Sequence, residues 1–285
     1  MSKQYEYQYS EKLTDDFVSV LDGSLQPADL KLFSSRLATT SDEVVDSVAS
    51  PINSVSGFGA QSGIVQNYTV ANQLVPFSPE VSTFHRDAAI LSTLIAASEA
   101  KRQIPIVDSA NAAEAWQAIY ANTFGGIGWV PQGQISDLRK TDSKGASVNE
   151  AIIEIIAAVS GGGAVLSLVK SVLSSLANTK QTDPFITLYE RQVFKSNTVL
   201  LGVTIATGQN SGFLLQTYQF SFDVASADTS ILVFKWHSAN ATVRYRRNDF
   251  SLAEAQFDRV KSKLSEIADR FVDGNVAVLS GARGP

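Results

Sequence analysis

Between Glu154 and Lys170 the chain runs through fifteen residues without a charge, Ile155 to Val169, with Gly161-Gly162-Gly163 in their midst. A helix that crosses a bilayer needs about 20 apolar residues, so this run is too short to span, yet it is more apolar than a surface helix tolerates. It must be buried, in protein or in lipid. Consecutive glycines cost roughly 1 kcal/mol each relative to alanine inside a helix, which favours a break at 161 to 163 over one continuous rod. The segment 151 to 177 is therefore expected to fold as two helices packed as a hairpin. The spacing Ser147-Val148-Asn149-Glu150 fits a capping box at its start.

Beyond this segment the apolar period changes. In 199 to 207 the odd positions Val199, Leu201, Val203 and Ile205 are apolar, while Gly202, Thr204 and Ala206 are small. In 213 to 224 the even positions Leu214, Tyr218, Phe220, Phe222 and Val224 oppose Thr217, Gln219, Ser221 and Asp223. Alternation of this kind marks strands. Residues 231 to 238, with Leu232, Phe234 and Trp236 on one stripe, predict a third strand, and 242 to 246 a fourth. The joints are short, which suits antiparallel hairpins and excludes parallel crossovers. Ser251-Leu252-Ala253-Glu254 then reads as a second capping box, opening a helix with Phe257, Val260, Leu264, Ile267 and Phe271 on one face.

The N-terminal part is less regular. Leu13, Phe17, Val20 and Leu21, and after Pro27 Leu30, Phe33 and Leu37, suggest short helices in an arm. With the Gly-, Ser- and Asn-rich stretch after them, residues 1 to 60 read as an N-terminal arm and connector, and 61 to 285 as the main domain. A strand is expected at 64 to 70. Ser78-Pro79-Glu80 predicts a helix start, with a helix running through Ala88 to Lys101. Asn111-Ala112-Ala113-Glu114 predicts another, carrying Trp116, Ile119 and Tyr120. Residues 123 to 145 read as a loop with one short strand, 127 to 130.

Chemistry is sparse. A net charge of −5 and a pI near 5.1 give no global basic field, so nucleic acid is not an expected partner. With no cysteine, disulfides, thiolate catalysis, cysteine metal sites and S-acylation are excluded. No phosphate-binding Gly-rich loop and no Gly-x-Ser-x-Gly elbow occurs, and His85 and His237 do not stand at metal-ligand spacing. Ser98-Glu99-Ala100-Lys101 and Ser167-Leu168-Val169-Lys170 match a serine–lysine spacing without its companion motifs. A non-enzymatic protein without cofactor or metal is expected. The opening Met1 to Tyr7 lacks the basic end and apolar run of a secretory signal, so the expectation is a soluble protein made without a cleaved signal and released to act on a target membrane.

Two readings of the apolar hairpin and long strands stand side by side. In one, a helix layer simply covers a sheet. In the other, that arrangement has a second state in which the helices peel away and the sheet meets lipid. Strands of nine to twelve residues exceed the usual 5 to 6 and match the roughly 9 to 11 of a tilted membrane strand. The lipid-contacting candidates are Ile155, Ile156, Val165, Leu166, Leu168, Val203, Ile205, Tyr218, Phe220, Phe222, Phe234 and Trp236. Arg244, Arg246 and Arg247 are candidates for anionic headgroups, at about 1 kcal/mol per basic residue near the surface. Their alternative role is a solvated strand end pairing with Asp249, Glu254 and Asp258.

Residues 148 to 273 resemble the Cyt-type insecticidal cytolysins and the related Evf virulence factor and volvatoxin-like group. The resemblance lies in the helical pair from Ala151-Ile152-Ile153-Glu154-Ile155 to Leu173-Ser174-Ser175-Leu176-Ala177 and in the strands after it. Among those are the Gly208 to Gly212 turn, Tyr218-Gln219-Phe220-Ser221-Phe222-Asp223-Val224 and Ile231-Leu232-Val233-Phe234. It extends loosely over 79 to 122 and not to 1 to 60. It implies an α+β fold, a single three-layer domain in which helix hairpins wrap an antiparallel sheet of long strands, and non-enzymatic damage to membranes. Evf-like members can carry an acylated cysteine, which this chain cannot. The partners expected are a lipid membrane, a fatty acid or lipid in a buried pocket, and further copies of the chain on the membrane. The alternative function is a non-lytic lipid-binding or acyl-chain-carrying module.

Overall fold

A computed structural model describes residues 67–70, 72–141, 148–160, 163–178, 198–209, 212–223, 241–272 and 276–279. The expected arm at 1 to 60 lies outside the described residues, as do the expected strand at 231 to 238, with Phe234 and Trp236, and His237.

Two short strands open the described chain, β1 (Asn67–Val70) and β2 (Gln73–Pro76), paired antiparallel. Helix α1 (Thr83–Gln103) is capped by Ser82, whose hydroxyl accepts from the His85 N–H, and α2 (Ala110–Gly126) by Ser109, which accepts from the Ala112 N–H. These caps correct the expected ones. The Ser78 N–H bonds the Ala206 carbonyl at 3.0 Å, so the chain is still attached to the sheet there, and Asn111 already lies inside α2.

Strand β3 (Trp129–Thr141) stands where a loop with a short strand was expected. It is a sheet edge, held by its backbone ladder to β6 (Ala241–Leu252), and it leaves Val130 and Ile135 exposed. An edge strand needs no apolar alternation, and Pro131 is tolerated because a bulge falls between Pro131 and Gly133.

The segment around the uncharged run forms α3 (Val148–Val159) and α4 (Gly163–Asn178), broken where the glycines predict, and the two helices pack together. Ser147, the expected cap, lies outside the described residues. Strands β4 (Thr198–Gln209) and β5 (Gly212–Asp223) are both twelve residues long and antiparallel. Strand β6 pairs directly with β5 from Leu214↔Ser251 to Phe222↔Val243. Among the described strands β5 thus lies between β4 and β6, while the expected strand at 231 to 238 falls outside the described residues. Strand β6 is not the five-residue strand expected. Arg247 and Asp249, at the positions that follow Val243 and Tyr245 on one face, hide its alternation, and Ser251, read as a cap, is its penultimate residue. Helix α5 (Glu254–Val272) and strand β7 (Val276–Leu279) close the described chain.

The sheet order is β3-β6-β5-β4-β2-β1-β7, antiparallel except for a parallel contact between β2 and β4. The fold is α+β with three layers. Helices α3 and α4 cover one face, while α1, α2 and α5 cover the other, and each interface has its own apolar core.

Candidate lipid-facing sheet and its two covers

The alternation along β4, β5 and β6 decides which side chains meet which cover. Leu201, Val203 and Ile205, then Tyr218, Phe220 and Phe222, then Val243 and Tyr245 all turn toward α3 and α4. Ile152, Ile155 and Ile156 of α3 meet them, with Val165, Leu168, Val169 and Val172 of α4. Leu74 of β2 completes the cluster. The structure thus gathers the sequence candidates Ile155, Ile156, Val165, Leu168, Val203, Ile205, Tyr218, Phe220 and Phe222 into one buried interface, and leaves Leu166 half-buried. Phe234 and Trp236 lie outside the described residues. Leu74, Val243 and Tyr245 were not legible: β2 is four residues long, and arginines flank the two β6 positions.

A polar tie fastens this interface at one end. The Arg247 guanidinium donates through Nη1 to the Val159 carbonyl, an orphan acceptor at the C-terminus of α3. Its Nε donates to Asp249 Oδ1 at 2.8 Å, and Nη2 donates to Oδ2. The guanidinium also lies 5.8 Å from the centre of the Tyr218 ring. Burial lowers the Arg247 pKa, but the Asp249 hydrogen bond and the electrostatic influence of nearby Tyr218 and Asp249 outweigh it and hold the group above its ordinary value. The pairing with Asp249, weighed for the arginine cluster from sequence, is thus present at Arg247. Arg246 belongs to the opposite face, where burial lowers its pKa and Glu114 of α2 partly restores it. Arg246 and Arg247 consequently do not share one basic surface.

That opposite face is divided. Toward one end of the strands it carries the apolar row Ala206–Leu215–Phe250, packed with Trp129, Phe124 and Phe257. Toward the other it carries polar rows. Thr204–Thr217–Asn248 and Gly202–Gln219–Arg246 lie side by side, with Leu200–Ser221–Arg244 beyond them. Gln73 reaches over Gly202 to exchange hydrogen bonds with the Gln219 amide, at 2.8 and 3.3 Å, and also donates to Asn72. The Tyr120 hydroxyl of α2 meets the Thr204 hydroxyl at 3.1 Å. The Gln117 amide nitrogen and Ser221 hydroxyl are buried without a hydrogen-bond partner among the described residues.

Burial raises the hydroxyl pKa of Tyr120, against the opposing bond to Thr204, and that of Tyr218, against nearby Arg247. A phenol whose folded pKa is raised contributes stability below its unfolded value of about 10 and loses about 1.4 kcal/mol per further pH unit. Urea denaturation from about pH 9 to about pH 11 is therefore expected to show falling stability. Replacing both residues by phenylalanine should flatten that fall, and an unchanged slope would refute the assignment.

A clasp not seen from sequence joins the starts of α1 and α5. His85 Nε2 lies 2.8 Å from Glu254 Oε1, and Nδ1 lies 3.0 Å from Ser82 Oγ. The imidazole stacks on Phe213 with centroids 4.3 Å apart. Because Ser82 already caps α1, this serine–histidine–glutamate arrangement reads as a brace between helices rather than a nucleophile relay. Among the described residues no group of three histidine, aspartate or glutamate side chains gathers to hold a metal, and no helix is long and apolar enough to cross a membrane.

No protein-family model matches this chain, and no curated protein matches it. Among solved structures it is similar to one titled "Structure of the Evf virulence factor", at 13% identity over 70% of this chain and 76% of that one, with a TM-score of 0.35. It is similar also to one titled "delta-endotoxin", at 13% identity over 72% of this chain and 91% of that one, with a TM-score of 0.34. The first carries the name of the virulence factor that residues 148 to 273 resemble, and both likenesses are distant.

Proposed function

We propose that this protein acts on lipid bilayers as a non-enzymatic, toxin-like permeabilising agent. The observation that carries the reading is the sorting of side chains on β4, β5 and β6. One face carries Leu201, Val203, Ile205, Tyr218, Phe220, Phe222, Val243 and Tyr245, with polar residues only toward one end, and the other is largely polar in its central rows, on strands each twelve residues long. A membrane strand needs about 9 to 11 residues with apolar and polar positions alternating. The first face is closed by the α3–α4 pair, so departure of that pair would present its apolar residues to hydrocarbon, with Gln216, Arg247 and Asp249 toward one end of the strands. In water this would be costly, since each apolar side chain gains about 1.5 to 3 kcal/mol from burial. A bilayer removes that cost. Opening is therefore coupled to the membrane.

Dye-loaded vesicles of zwitterionic lipid, and of zwitterionic lipid mixed with anionic lipid, test the reading. Release from either composition, without any substrate being turned over, is the expected result. Vesicles of both kinds that stay intact at saturating protein would overturn it. Lipid co-purifying with the protein alongside intact vesicles would instead favour a lipid carrier.

A further inference from the structure

The polar rows are expensive where they lie. A buried donor or acceptor without a partner is costly, and the Gln117 amide nitrogen and Ser221 hydroxyl are two such groups. The half-buried Arg246 guanidinium adds a desolvated charge. Apolar residues would pack α2 against the sheet at no such cost, as the row Ala206–Leu215–Phe250 shows on the same strands. Placement argues the same way. Glu114 acts electrostatically on Arg246 of β6, and Tyr120 touches Thr204 of β4. Six residues of helix rise about 9 Å, close to two strand spacings of about 4.8 Å, so Gln117 stands over the polar positions of β5 between them. The helix thus crosses the polar rows rather than avoiding them.

We propose that these rows face water in the membrane-bound state and that Arg244 and Arg246 make the resulting path prefer small anions over cations. The inference rests on the permeabilising reading above and names what passes. Arg244 and Arg246 occupy alternate positions of β6, about 7 Å apart along the strand. Asp137 and Asp249 stand on the opposite face by register, opposite Tyr245 and beside Arg247 respectively. Glu114, which tempers Arg246 in the closed form, comes from α2, which leaves this face of the sheet when the polar rows meet water. Repeated in several copies around a pore, the two arginines give cationic rings, the arrangement that favours anions.

Planar bilayers with an about tenfold KCl gradient test this through the reversal potential. The expected sign is that of chloride, with chloride preferred by about threefold or more. Arg244→Gln together with Arg246→Gln should bring the preference close to unity, while Lys263→Gln, on exposed α5 surface, should leave it unchanged. A wild-type path that prefers potassium or neither ion overturns the inference, as does a preference the double variant keeps. If the double variant does not fold, the wild-type sign and the two single variants decide. Dye release without chloride preference defeats the inference alone. Absence of both dye release and conductance defeats the permeabilising reading with it.

Discussion

A disulfide joining the α3–α4 pair to the sheet beneath it is expected to suppress vesicle leakage by at least about tenfold, and its reduction to restore it. The chain contains no cysteine, so within one molecule two introduced ones can pair only with each other. Helix α4 packs against β4 and β2, which supplies facing positions. A pair with alpha carbons about 5.5 to 6 Å apart forms without strain. The lock leaves the apolar interface and every charge in place and forbids only separation. The reduced form is its own control, since it carries the same two substitutions. Equal leakage before and after reduction would show that the helices need not leave the sheet. The contrast is larger than any point substitution in the interface could give, because truncating one apolar residue both weakens the closed form and removes a lipid contact.

The central layer was legible in sequence because its residues alternate without interference. Val203 and Ile205 against Gly202 and Thr204, and Tyr218 to Phe222 against Thr217 to Ser221, state both the strand and its faces, and the three glycines state where the helix pair breaks. The strands that failed to show are those whose neighbours, rather than their own side chains, hold them. Strand β3 is an exposed edge secured by main-chain bonds to β6, so its polar residues read as loop. Strand β6 carries Arg244 and Arg246 on one face but Arg247 and Asp249 on the other, beyond Val243 and Tyr245, which broke the apolar count. The caps were missed for a related reason. Ser78 and Ser251 have cap-like spacing, but sheet hydrogen bonds claim the backbone there, and local propensity yields to tertiary pairing. As for the site, the apolar half was visible as a set of residues. The hydrogen bonds that fasten it were not, since Arg247 to Val159 and Gln73 to Gln219 join positions far apart in the chain.

Gly202→Ala is expected to destabilise the protein by about 3 to 5 kcal/mol, through three buried hydrogen bonds in which Gly202 itself takes no part. A Cβ at this position would lie 1.7 Å from Gln73 Oε1 and 2.4 Å from Nε2. A side-chain end can usually swing aside, but Gln73 is fully buried and held by Asn72 on one side and Gln219 on the other. Displacing it leaves the Gln219 amide, also fully buried, without its partner. The main chain has no slack either, since the Gly202 N–H bonds the Asn72 carbonyl at 3.0 Å in the parallel contact between β2 and β4. The small residue in the strand is thus the space through which one strand's amide reaches the next. Removing the obstacle should remove most of the penalty. In the Gln73→Ala background the added methyl should cost about 1 kcal/mol or less, so a double-mutant cycle read by urea denaturation should show coupling of at least about 2 kcal/mol. Additive losses would mean that the methyl clashes with the backbone rather than with Gln73. A Gly202→Ala protein as stable as the wild type would mean that the amide bridge contributes nothing to holding β2 on the sheet.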